Sequence, residues 1–177
     1  LAIVGATATQ AQTKEFLEAF NEVKHLAGLP NSQRYKDIEL VQYPAEMLRT
    51  MGVKESSNSH NILGNLKVIY QVKIPLSGKN KTIGNGTYHR FYSLIHQNRK
   101  PKLYEQVMCQ TTKGQEVSVY KAIRKKNNQP SEFMVFIKNT EKAIICDVVG
   151  YITVQDVMKM LSPELKNYVK EDTLSIS

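Results

Sequence analysis

The chain has 177 residues, 41% hydrophobic and 23% charged, with a formal net charge of +8. That length suffices for one core without metal or disulfide support, and no apolar run approaches the roughly 18 residues that a membrane-spanning helix needs. The positive charge is localised: residues 73–142 hold 14 Lys and Arg against 4 Asp and Glu, and the remainder holds 10 against 12.

Residues 1–5, "LAIVG", are apolar, and the next seven are Ala, Thr and Gln only. An apolar stretch followed by small residues is the order of a signal-peptide core and its cleavage region. Thr9 and Ala11 supply the small side chains, so cleavage is expected after Ala11. Residues 1–11 are read as a signal-peptide remnant, and 12–177 as a single α+β domain exported to the periplasm or cell surface.

From Thr13 to Ala27, Phe16, Phe20, Val23 and Ala27 recur at helical spacing, with Gly28 as the stop. Residues 37–43, "DIELVQY", alternate as a strand. Pro44 then opens a short helix whose inner face carries Met47, Leu48 and Met51 and which Gly52 ends. A polar loop is expected over 54–61. Leu66, Val68, Tyr70, Val72 and Ile74 mark the clearest strand, with Ile69 out of phase. Residues 77–86, "SGKNKTIGNG", read as a flexible turn.

Tyr88, Phe91, Tyr92 and Ile95 form the stripe of another helix. Pro101 is expected to open a further helix, with Tyr104, Val107 and Met108 inward and its end near Gly114. Three strands follow at 116–123, 133–138 and 143–149, joined by connections short enough for antiparallel hairpins. Thr153 and Asp156 have the spacing of a capping box, and Val154, Val157, Met158 and Leu161 form the stripe of the helix they start. A last helix is expected from Ser162 and Pro163. The fold class is therefore α+β: an antiparallel sheet of about five strands, with amphipathic helices packed mainly on one face.

The segment "FMVFIKNTEKAIICDVVGYITVQDVMKM" (133–160), with "LYEQVM" and "GQEVSVYKAIRK" before it and "PAEMLRTMG" further upstream, resembles a domain-of-unknown-function family. Its members are small exported proteins and lipoproteins of Gram-negative gut bacteria. The resemblance covers most of 13–161 and implies export, an α+β fold and no established activity. It supplies no site residues. This chain differs in having no lipidation cysteine and in its basic 77–86 segment.

Residues 78–86, "GKNKTIGNG", lack the spacing of a phosphate-binding loop. His89 and His96 lie seven apart, too far for joint metal ligation on one helix. Cys109 and Cys146, read as lying within an apolar helix and strand, show neither zinc nor CxxC spacing. They are taken as two buried thiols, with one disulfide as the alternative that export allows. Asp147 is read as a strand carboxylate facing solvent. No catalytic residue, metal ligand or cofactor is assigned.

Lys79, Lys81, Arg99, Lys100, Lys102, Arg124, Lys125 and Lys126 occupy loops and element ends, from which they are expected to reach one common positive surface and meet an anion without burial. They are the candidate anion-binding residues. The function expected is an exported, non-catalytic binding or interaction module of the cell envelope. Its partner would be an anionic envelope polymer, a lipid headgroup or another envelope protein. An enzyme whose site assembles only in three dimensions stays open as an alternative. So does a basic nucleic-acid-binding domain, although the aromatics fall in helical stripes rather than on an exposed sheet.

Overall fold

The computed structural model describes residues 12–161, apart from 31, 56–61, 97, 125 and 127. The expected signal segment, most of the 54–61 loop, the last helix and Lys125 lie outside the described residues. The strands are β1 (Glu39–Pro44), β2 (Leu66–Pro75), β3 (Tyr104–Thr112), β4 (Gln115–Ala122), β5 (Ser131–Lys138) and β6 (Lys142–Gly150). They form one sheet in the order β1-β2-β6-β5-β4-β3, and every neighbouring pair is antiparallel.

The helices are α1 (Lys14–Gly28), α2 (Ala45–Glu55), α3 (Ile62–Asn65), α4 (Lys81–Ile95) and α5 (Val154–Met160). Strand periodicity divides the apolar side chains between the two faces of the sheet. On one face Val68, Tyr70, Val72, Met134, Phe136 and Ile145 pack against Phe16, Phe20 and Val23 of α1 and Phe91 and Leu94 of α4. The Phe20 and Tyr70 rings meet edge-on at 4.8 Å, and Phe16 lies 5.8 Å from Phe91. On the other face Val119, Phe133, Val135 and Val148 pack with Leu48 of α2 and Val157 of α5. The two long helices thus share one face, and shorter ones close the second. Ile69, out of phase in the sequence, belongs to that second cluster.

The sixth strand replaces an expected helix. Residues 104–112 form the edge strand β3, and the ladder with β4 shifts register between Gln106 and Met108. The extra residue reverses the side-chain phase. Tyr104 therefore joins the α1/α4 face and Met108 the opposite one. Apolar residues at 104, 107 and 108 thereby imitate helical spacing. Gly114, read as a helix stop, is instead half of a two-residue hairpin turn in which Lys113 has φ 50° and Gly114 φ 75°. Positive φ at both positions is what a tight hairpin requires.

The 77–86 segment is not all turn, because α4 begins at Lys81. Gly84 lies in this helix at a point where a Cβ would stand 1.6 Å from the Pro75 carbonyl oxygen. The glycine that suggests a loop is what lets α4 lie against β2. Helix α2 runs past Gly52 to Glu55, with Leu48 buried and Met47 exposed. In α5 the capping box forms as expected: Asp156 N–H donates to Thr153 Oγ1 at 3.2 Å, and Thr153 N–H to Asp156 Oδ2 at 2.9 Å. Val157 is buried and Val154 and Leu161 pack beside it, but Met158 is exposed and Met160 takes the inner place.

Candidate functional site

The face under α1 contains a buried polar cluster. Glu132 follows the inward phase of Met134 and Phe136 on β5, and Asp147 that of Ile145 and Val149 on β6. Glu132 is opposite Val149 and Asp147 opposite Met134, so the two carboxyls are diagonal neighbours on adjacent strands. Both are 0% exposed. Asp147 thus points into the core, contrary to the solvent-facing position expected for it, because strand alternation commits it to the same face as Ile145.

Four groups converge on the pair. Thr13 N–H donates to Glu132 Oε1 and Oε2 at 3.2 and 3.0 Å. The Tyr104 hydroxyl donates to Glu132 Oε1 at 3.1 Å and also contacts Thr13 Oγ1. Tyr104 reaches the carboxylate from β3 across Ala122, the small residue opposite it on β4. Arg124, just beyond β4, sets its guanidinium 3.1 Å from Glu132 Oε2. Gln12 Nε2 donates to Asp147 Oδ2 at 2.9 Å.

Burial, the neighbouring Glu132 charge and a hydrogen bond to Glu132 raise the Asp147 carboxyl well above the usual carboxylate range. The Gln12 hydrogen bond and the Arg124 charge oppose this and do not outweigh it. Asp147 is therefore biased towards its protonated form. Asp147 Oδ1 and Gln12 Oε1 receive no hydrogen from other groups. The Tyr104 phenol is also raised, mainly by burial and then by the Glu132 and Asp147 charges. The acid pair is closed off from solvent beside Arg124.

The basic residues fall into two groups. Lys79 and Lys81 lie at the start of α4, beside the end of β2. Arg99, Lys100 and Lys102 lie beyond the other end of this helix, about 20 Å away along its axis. Lys126 is near the second group, because β4 ends where β3 begins and Ile123 N–H donates to Leu103 O. Lys100, Lys102 and Lys126 are exposed, whereas Arg124 is committed to Glu132. Beside Lys102 a cleft of about 310 Å³ opens between Ile95, Tyr104, Glu105 and Tyr120.

Cys109 and Cys146 are free thiols. Strands β3 and β6 are separated by β4 and β5, which puts the two about 14 Å apart, beyond the reach of a disulfide. Cys109 is exposed on the edge strand rather than enclosed in a helix, and Ser118 Oγ donates to its sulfur at 3.5 Å. Burial and then the Asp147 charge push the Cys146 thiol up to about 12, with Lys73 opposing. No group of three or more His, Cys, Asp or Glu able to hold a metal occurs among the described residues. No helix among them is long and apolar enough to cross a membrane.

Glu132 carries no motif that marks it in the sequence, although its phase with Met134 and Phe136 is visible there. Nothing local marks Gln12 and Thr13 as its partners. No curated protein and no solved structure matches the chain. A family profile described as a domain of unknown function (DUF4252) matches residues 33–160, a span that includes Tyr104, Arg124, Glu132 and Asp147 but not Gln12 or Thr13. The chain belongs to this DUF4252 family.

Proposed function

We propose that this protein is an exported, non-catalytic interaction module of a Gram-negative cell envelope that contacts an anionic envelope component. Export is supported by the apolar and small-residue order of residues 1–11 and by the resemblance to exported proteins and lipoproteins. The observation that carries the binding reading is the set of exposed cations Lys100, Lys102 and Lys126 beside the β3 edge and its cleft, with Arg99 close by. Exposed lysines meet phosphate or carboxylate groups without desolvation, each contact contributing only ~0–1 kcal/mol and weakening with salt. Lys79 and Lys81 form a second, separate basic point. The closure of the acid pair favours binding over catalysis, because groups with strongly shifted pKa act on substrate only where substrate can reach them.

The test is co-sedimentation with anionic and neutral vesicles at low and moderate salt, with a soluble anionic polysaccharide as competitor. Binding is expected to anionic vesicles alone, to fall with salt and to weaken in a Lys100→Gln/Lys102→Gln/Lys126→Gln variant. Arg124 stays unchanged, since removing it would break the core ion pair. Equal sedimentation with both vesicle types contradicts the reading.

A further inference from the structure

We propose that cleavage of the Ala11–Gln12 bond matures this fold, because the new α-ammonium of Gln12 supplies a second cation to the buried Glu132–Asp147 pair. The inference rests on the reading of residues 1–11 as a removable leader, and it adds a structural consequence to that cut. Among the described residues one guanidinium, Arg124, pairs with Glu132 and acts on Asp147 by its charge alone, so the two carboxyls are one cation short when both are ionised. The buried Gln12 Oε1 also stands without a donor. An ammonium brings charge and three N–H groups, where the amide of an uncut chain has one.

Chain continuity bounds the position. Thr13 N lies 3.0 Å from Glu132 Oε2, and successive backbone nitrogens are at most about 3.7 Å apart. The Gln12 nitrogen is therefore within about 7 Å of that carboxylate, while its own side chain already touches Asp147. The charged and titratable groups that act on the pair are Arg124 beyond β4, Tyr104 from β3, Tyr70 from β2 and the Cys146 thiol beside Asp147 on β6. Lys14, the nearest other cation in sequence, is exposed and paired with Glu18.

The step balances simply. A peptidase that cuts after a small residue adds one water, the leader departs with the Ala11 carboxylate, and Gln12 keeps the amine. At neutral pH the amine gains a proton, and its charge favours the ionised form of Asp147.

Three forms test this: the chain from Leu1, the chain beginning at Gln12, and the latter acetylated on its α-amine, each checked by mass for an uncyclised Gln12. The free-amine form is expected to melt at least about 2–4 °C above the other two at pH 7. An amine held by carboxylates has a folded pKa above its unfolded value of about 7.7–8.0. Its stabilisation is therefore complete below that value and is lost as pH rises through the folded one. Asp147→Asn should remove the advantage, and the acetylated form makes the same comparison without a mutation. Equal melting of the free and acetylated forms across pH overturns the proposal. So does N-terminal sequencing that finds Leu1 intact on protein from its host. Vesicle binding is read separately, so its failure leaves this comparison standing.

Discussion

Thr13 donates its backbone N–H to both carboxylate oxygens of Glu132, at 3.2 and 3.0 Å, across 119 residues of sequence. This contact ties the start of α1 to the middle of the sheet, and Arg124 balances the charge it encloses. Removing one member of a buried pair strands the other at a cost of about 3–5 kcal/mol. Glu132→Ala is thus expected to lower the melting temperature by about 10 °C. Arg124→Met in the same chain should recover part of the loss. A Glu132→Ala protein that melts within a degree of the parent would show that the cluster carries little stability.

The raised Asp147 pKa makes stability depend on pH in a definite direction. Between its unfolded value of about 3.9 and its raised folded value, the native state binds the extra proton. In the chain that begins at Leu1 the stabilisation is complete below that unfolded value and is lost as pH rises through the folded one. Urea melts from pH 4 to pH 9 should show it, and Asp147→Asn should flatten the profile.

The two thiols should behave differently. Cys109 is exposed on the edge strand, whereas Cys146 is half-buried and its thiol is pushed up to about 12. Native alkylation is expected to modify Cys109 alone, and Cys109→Ser should abolish labelling until the protein unfolds. Equal labelling of both would mean that β6 is open to solvent.

Gly84→Ala is expected to destabilise, although alanine is the better helix former by about 1 kcal/mol. Its Cβ would meet the Pro75 carbonyl oxygen at 1.6 Å, and backbone cannot yield as a flexible side chain can. Gly86, where an added methyl would meet only open space, is the control: there the same change should be neutral or stabilising. Equal melting temperatures for the two alanine variants would mean that α4 does not rest on the Pro75 carbonyl.

Much of the fold can be read from periodicity. The alternation at 66–74, the hairpin-linked strands between 116 and 149 and the Thr153–Asp156 cap all correspond to observed elements. Strand β3 is illegible because its bulge at Val107 turns a strand phase into helical spacing. The first turn of α4 is hidden because Gly84 answers a tertiary demand that local propensity does not register. The acid pair is half legible: Asp147 shares the phase of Ile145 and Val149, yet a carboxylate on a strand suggests solvent unless its partners are known. Those partners come from β3, the end of β4 and the residues before α1, and their convergence depends on the strand order of the folded sheet.

The most direct test of this account is the protonation of Asp147, read by infrared spectroscopy of the Leu1–Ser177 chain with carboxyl-labelled aspartate. A protonated carboxyl band that persists above the ordinary aspartate range and vanishes in Asp147→Asn is the predicted result. Complete ionisation of every aspartate by about pH 6, the behaviour of carboxyls near their ordinary pKa, would contradict it.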